Sequence, residues 1–340
     1  MTDEIGVLFL LFQVGLETDV SKMMAVGSSS FLVAVLGVIA PMVLGFFVSQ
    51  AFFPGLPALV HVFVGATLCA TSVGITARVL RELGKVDSAE GRIILGAAVI
   101  DDVLGLIVLA VVAGVIQAAD RGASFDAGSI ALLVGKALGF LVVAVVVGER
   151  LSRRAFRLVA GLRSEGVLLS LAIAFCFLTA WLAGLAGLAP IVGAFSAGLV
   201  LDEVHYEDAD AKPPRSVPEL IAPSADFLVP VFFVLMGMHV DLSVFGSVGV
   251  VGFALVLTVA AIAGKQLCAL GVLHRGVDRL AVGLGMIPRG EVGLILASVG
   301  ASLKLGGERV IDDGMFSALV AMVALTTLLT PPLLVLRMKK

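Results

Sequence analysis

The sequence predicts an all-α polytopic membrane protein of about eleven transmembrane segments, arranged as an inverted repeat with two discontinuous helices. Three observations lead there. Of 340 residues, 59% are hydrophobic and 14% are charged, whereas a soluble domain carries roughly a quarter charged residues. Apolar stretches of about 20 residues recur along the whole chain. Ionisable residues stand inside several of these stretches, where bilayer insertion makes them costly.

The segments, in order, are roughly Ile5–Leu16, Ser28–Phe53, Ala58–Val79, Gly91–Gln117, Ser129–Val147, Gly166–Leu185, Leu188–Leu201, Leu220–His239, Gly246–Leu273, Leu280–Leu303 and Val310–Leu336. Ile5–Leu16 and Leu188–Leu201 are short for a full crossing. The largest polar stretch, Asp202–Glu219, is a connecting loop with Pro213, Pro214 and Pro218. Met1–Glu4 is acidic, unlike the start of a signal peptide. Cys69, Cys176 and Cys268 all lie in apolar runs, with neither a disulfide framework nor a CxxC metal spacing. The net charge of −3 says nothing about nucleic acid, but no basic patch is present and no nucleic-acid partner is expected. No cofactor is expected.

Loop charge orients the bundle. Lys22; Arg78, Arg81, Lys85 and Arg92; Arg150, Arg153, Arg154, Arg157 and Arg163; Lys212 and Arg215; Arg275 and Arg279; and Arg337, Lys339 and Lys340 fall on one side, and Arg121, Lys304 and Arg309 on the other. The basic side is cytoplasmic by the positive-inside rule. The expected topology has the N-terminus outside and the C-terminus in the cytoplasm of a plasma-membrane protein.

Several charges share one depth. Asp101 lies nine residues beyond Arg92, Lys265 ten before Arg275, Arg289 ten beyond Arg279, and Thr71 ten before Arg81. At about 1.5 Å per helical residue, each sits about 14–15 Å deep, half of a ~30 Å hydrocarbon core. Four segments therefore bring polar groups to one plane. Ion pairs that merely join helices are the plain alternative, plausible for Arg289–Glu291 alone and weaker for the whole set. Lys136 lies in a segment's first third, where snorkelling suffices. His61, His205, His239 and His274 lie near segment ends and read as interfacial.

Two segments are interrupted. GATLCATSVGIT puts Thr67, Thr71, Ser72 and Gly74 in mid-span, and GMIPRGEVG puts Pro288, Gly290 and Gly293 there. Such breaks free backbone groups, tolerable in lipid only where they line a polar cavity. Each broken segment is the middle one of a triplet, and the two triplets start on opposite sides. That is the pattern of a secondary transporter with a midplane site.

At these residues the chain resembles the cation:proton antiporter-2 family, the Nap- and Kef-type antiporters. The resemblance runs through FLLFQVGLETDV (Phe9–Val20), GATLCATSVGITARVL (Gly65–Leu80), AAVIDDVLGLIVLA (Ala97–Ala110), FFVLMGMHVDL (Phe232–Leu242) and PRGEVGLIL (Pro288–Leu296). It implies a Nap/Nha-like inverted-repeat antiporter fold in which two discontinuous helices cross. It also implies that Asp102 binds the monovalent cation or the protons, that Asp101 pairs with Lys265, and that Thr71 and Ser72 line the crossover, with Arg289 and Glu291 as supporting charges. Family members resemble thirteen-helix proteins, so two N-terminal helices are expected to be absent here. The aspartate pair, which Kef-type members commonly lack, favours the sodium branch.

The expected organisation is residues 1–27 as a first interface helix and loop, 28–118 as the first core triplet, 119–165 as a linker helix, 166–245 as dimerisation helices and 246–340 as the second core triplet. The expected activity is antiport of Na+, or of Li+ or K+, against protons by a homodimer in the lipid bilayer. A cation channel or a Kef-like K+ efflux protein is the alternative. A membrane hydrolase is remote: no HExxH or GxSxG is present, and the aspartates are adjacent rather than on facing helices.

Overall fold

A computed structural model describes Thr2–Glu17 and residues 27–122, 127–160, 165–202 and 217–339. Lys22, Arg163, His205, Lys212 and Arg215 lie outside the described residues. In chain order the helices are α1 (Thr2–Glu17), α2 (Ser28–Phe52), α3 (Ala58–Thr67), α4 (Val73–Glu82), α5 (Ala89–Asp120), α6 (Ala127–Ala160), α7 (Glu165–Leu185), α8 (Pro190–Asp202), α9 (Val217–Met238), α10 (Val248–Leu267), α11 (Arg279–Gly285), α12 (Glu291–Ser302) and α13 (Asp313–Met338). Among the described residues, seven helical stretches are long and apolar enough to cross a membrane, and shorter apolar helices accompany them. Among the described residues the fold is all-α apart from one two-stranded ribbon, Lys304–Leu305 against Glu308–Arg309.

The chain forms two compact units: Met1–Ser21 with Phe125–Gly237, and Lys22–Ser124 with Met238–Lys340. The first unit is built around α8. Helices α1, α6 and α7 all pack on it, and residues 191–200 are buried throughout. Its core holds Phe12, Leu16, Phe175, Val200, Leu201 and Ile221. The α1–α8 contact brings backbone against backbone. A Cβ on Gly15 would meet the Phe195 carbonyl oxygen at 2.3 Å, and one on Gly198 would meet that of Phe12 at 2.3 Å. Small residues serve this purpose in membranes, where dispersion rather than hydrophobic burial joins helices. Gly198→Leu is therefore expected to force α1 and α8 apart and to cost about 1–3 kcal/mol or more, read as a lower melting temperature in detergent. Gly184→Leu, on α7 with open space around it, should leave the melting temperature unchanged.

The second unit contains both predicted triplets: α2, α3/α4 and α5, and then α10, α11/α12 and α13. Helix α2 packs against α3, α5 and α10; α13 packs against α4, α10, α11 and α12. Val33, Ala34, Leu80, Ile94, Ala97, Cys268, Val282 and Met286 form the main cluster. Capping residues mark the helix starts. The Gly91 N–H donates to Ser88 Oγ at 3.0 Å, and the Met315 N–H to Asp312 Oδ1 at 2.7 Å. Such side chains satisfy amides that the first helical turn leaves open.

Asp278 does more than cap. Its carboxylate accepts from the Leu280 and Ala281 amides of α11 and from Arg337 of α13 at 2.6 Å, while its own N–H donates to Glu90 on α5. One residue thus ties three helices at one end of the unit. Partial burial pushes the Asp278 carboxyl up, but the bonds from Arg337 and the amides outweigh it and hold the group below the usual carboxylate range. The ribbon's loop has Gly306 and Gly307 at φ of 63° and 87°, backbone that glycine adopts without a steric cost.

Candidate functional site

Both broken helices interrupt where the residue types forecast it. In the first, α3 ends at Thr67 and α4 begins at Val73, with Ser72 extended between them. In the second, α11 ends at Gly285 and α12 begins at Glu291. Pro288 has no N–H and disfavours helical backbone in Ile287. The two breaks touch. The Ser72 N–H donates to the Pro288 carbonyl at 2.8 Å, and the Thr71 hydroxyl to that of Met286 at 3.4 Å. A Cβ on Gly290 would lie 2.6 Å from Ser72 Oγ, so only glycine permits this approach.

Charges sit at the half-helix ends. Arg289, wholly buried, donates to the Ala70 carbonyl at 2.6 Å, just past the C-terminus of α3, and to the Ala261 carbonyl of α10 at 3.5 Å. Its Nε has no hydrogen-bond partner among the described residues. Glu291 occupies the first turn of α12 and accepts from Ser72 Oγ at 3.2 Å. A cation near a helix C-terminus and an anion at an N-terminus both oppose the helix dipole favourably. Arg289 and Glu291 do not pair with each other. Arg289 stands in the break outside α12, and its guanidinium takes backbone carbonyls instead.

Asp101 and Lys265 meet beside this crossing. Lys265 Nζ donates to the two carboxylate oxygens of Asp101 at 2.9 and 3.1 Å, with both side chains at 0% exposure. Asp101 comes from the middle of α5 and Lys265 from the last turn of α10; α2 packs on both. A Cβ on Gly37 of α2 would stand 3.4 Å from Lys265 Nζ and 3.5 Å from Asp101 Oδ1. The Cys69 thiol, inside the first break, reaches the neighbouring Val38 carbonyl at 3.4 Å. Breaks and ion pair thus form one connected cluster within the second unit. Asp102, the next residue on α5, is half-buried where Asp101 is fully buried; consecutive helical residues diverge by about 100°.

Over residues 3–336 the chain matches the family model described as sodium/hydrogen exchanger, transmembrane. The chain belongs to the sodium/hydrogen exchanger family. It is similar to the high-affinity Na+/H+ antiporter NhaS3 of Synechocystis, 38% identical over 336 residues, which cover 97% of this chain and 69% of the relative. It is also similar to the Na+/H+-K+ antiporter GerN of Bacillus cereus, 35% identical over 335 residues, covering 97% and 81%. Among solved structures it resembles the sodium proton antiporter MjNhaP1 of Methanocaldococcus jannaschii. That match has a TM-score of 0.72 at 18% identity, over 98% of this chain and 82% of the other, which identifies the antiporter fold. The exchanger is a multi-pass membrane transporter, not an enzyme.

Sequence reading missed four features of this cluster. Thr76 on α4 donates to the Gly285 carbonyl at 2.7 Å, and Thr327 on α13 donates to the Arg289 carbonyl. Gly37 leaves room beside the ion pair. His61 is buried within the unit, bonded to Ser49 Oγ at 2.9 Å and edge-on to Phe46. Its half-helix starts near the segment end, but the unit packs around it. His274, in contrast, is exposed, and Lys136 lies on an exposed part of α6 as snorkelling expects.

Proposed function

We propose that the exchanger is a Nap-type antiporter that trades a monovalent cation, Na+ before Li+ or K+, for protons at Asp102 by alternating access. The observation that carries this reading is the buried Asp101–Lys265 pair next to a second, half-buried carboxylate, beside two crossing helix breaks. The pair neutralises Asp101, and the half-buried Asp102 beside it is the carboxylate that exchanges. Either a proton or a cation neutralises it, and a neutral site crosses a low-dielectric barrier that a bare charge does not. Competition of both ligands for one group prevents uncoupled leak. Thr71 and Ser72 line the crossover, and Arg289 and Glu291 set its field.

In this reading residues 28–118 and 246–340 form the ion-carrying core. Residues 1–27 and 166–245 provide the dimer interface, and 119–165 the linker. The protein works as a homodimer in the plasma membrane, C-terminus in the cytoplasm, with no cofactor beyond the transported ions. The relatives are named as antiporters, and no observation favours a channel.

Proteoliposomes test the proposal. With an imposed pH gradient, Na+ should dissipate ΔpH. Cation current without coupled proton movement would contradict it.

A further inference from the structure

The second break exposes a run of backbone carbonyls, and nearly all of them are claimed. The Gly285 carbonyl takes the Thr76 hydroxyl at 2.7 Å, Met286 takes Thr71 at 3.4 Å, Pro288 takes the Ser72 amide at 2.8 Å, and Arg289 takes the Thr327 hydroxyl. Three of these donors come from the first broken helix. Thr327 alone comes from α13, outside both breaks.

Its neighbours behave differently. Thr326 and Thr330 turn their hydroxyls back onto carbonyls of their own helix, Thr326 onto Met322 and Thr330 onto Thr326. That back-bonding is the usual outcome for a threonine inside a helix. Thr327, half-buried, instead reaches across to the break. The carbonyl it holds belongs to the residue whose guanidinium grips Ala70 in the other break and Ala261 on the lysine-bearing helix. The Arg289 backbone is therefore held by one contact from α13 while its side chain ties both breaks together.

We infer that Thr327 is a positioning residue for exchange: its hydroxyl fixes the Arg289 backbone, and through Arg289 the crossover that shapes the cation site. A carbonyl deprived of its donor in this apolar setting turns toward another partner, because a buried unsatisfied acceptor is costly. Arg289 and the first break then shift, and cation affinity falls without loss of the carboxylate that carries the ion. The inference rests on the exchange reading above.

Exchange in proteoliposomes at fixed pH, as a function of Na+, tests it. Thr327→Val keeps the shape and removes the donor. It should raise the apparent KM for Na+ roughly tenfold while Vmax per reconstituted protein stays within about twofold. Thr327→Ser should restore the native KM. Thr326→Val, which removes only a bond internal to α13, should leave it unchanged. A purely structural role would lower the melting temperature and Vmax but not move KM. An unmoved KM in Thr327→Val, or a serine variant as impaired as the valine one, overturns the inference. Should the valine variant not assemble, Thr327→Ala decides, and a native KM there overturns it as well. Absence of Na+-driven exchange in the native protein would instead contradict the exchange reading itself.

Discussion

Asp102→Asn is expected to abolish cation-driven proton movement while the protein still inserts, folds and melts near the native temperature. Asparagine keeps the size of the side chain but neither releases a proton nor balances a cation. The substitution leaves the buried Asp101–Lys265 pair, at 2.9 Å, in place. The variant should therefore elute as the native protein does and give no ΔpH dissipation above empty liposomes for Na+, Li+ or K+. Exchange at the native rate would show that another group carries the ions.

Lys265→Ala is expected to have the opposite profile, with stability as its main casualty. Both partners of the Asp101–Lys265 pair are at 0% exposure. Removing the lysine leaves a buried carboxylate with no counter-charge, and breaking such a pair costs about 3–5 kcal/mol. The loss is steeper than the net worth of the pair, since the remaining charge has no water to turn to. The melting temperature of Lys265→Ala should fall well below that of Asp102→Asn. The double variant Lys265→Ala/Asp101→Ala removes the orphaned charge and should recover part of the loss. The reverse order of melting temperatures would count against assigning Lys265 to Asp101.

Much of this cluster was legible because depth can be counted. Nine or ten residues from a charged loop put Asp101, Lys265, Arg289 and Thr71 on one plane; the family resemblance, rather than depth, named Asp101 as the partner of Lys265, and the two do meet. The breaks were legible from residue type, since Pro288, Gly290 and the Thr71–Ser72 step all resist continuous helix. What stayed hidden depends on direction rather than depth. Thr326 and Thr327 are adjacent and chemically identical, yet one bonds its own helix and the other the break. Only the rotation of α13 against α12 separates them, and an apolar run with little amphipathic pattern does not encode that rotation. The burial of His61 stayed hidden for a related reason: distance from a segment end does not reveal which residues pack around a half-helix. Arg289 beside Glu291 left a local ion pair plausible, but Arg289 stands in the break outside α12, and its carbonyl partner at Ala70 is more than two hundred residues away in sequence.

Asp278, with its carboxyl held below the usual range by Arg337 and two amides, adds a small pH-dependent term outside the ion site. Its contribution is present above the ordinary carboxylate pKa of about 3.9 and is lost as pH falls through the lower folded value. With Arg337 and Asp278 40% and 31% exposed, the ion pair is worth at most about 1 kcal/mol. It therefore leaves the pH range of transport untouched, and pH effects there report the exchange site.

The central claim is that a proton and a cation compete for Asp102. The most direct measurement is the apparent KM for Na+ in proteoliposomes, determined at successive pH values across the range in which transport switches on. Competition predicts that the apparent affinity weakens as pH falls, approaching about a tenfold rise in KM per pH unit where the proton dominates the site. A KM for Na+ that stays flat while the transport rate changes with pH would contradict it.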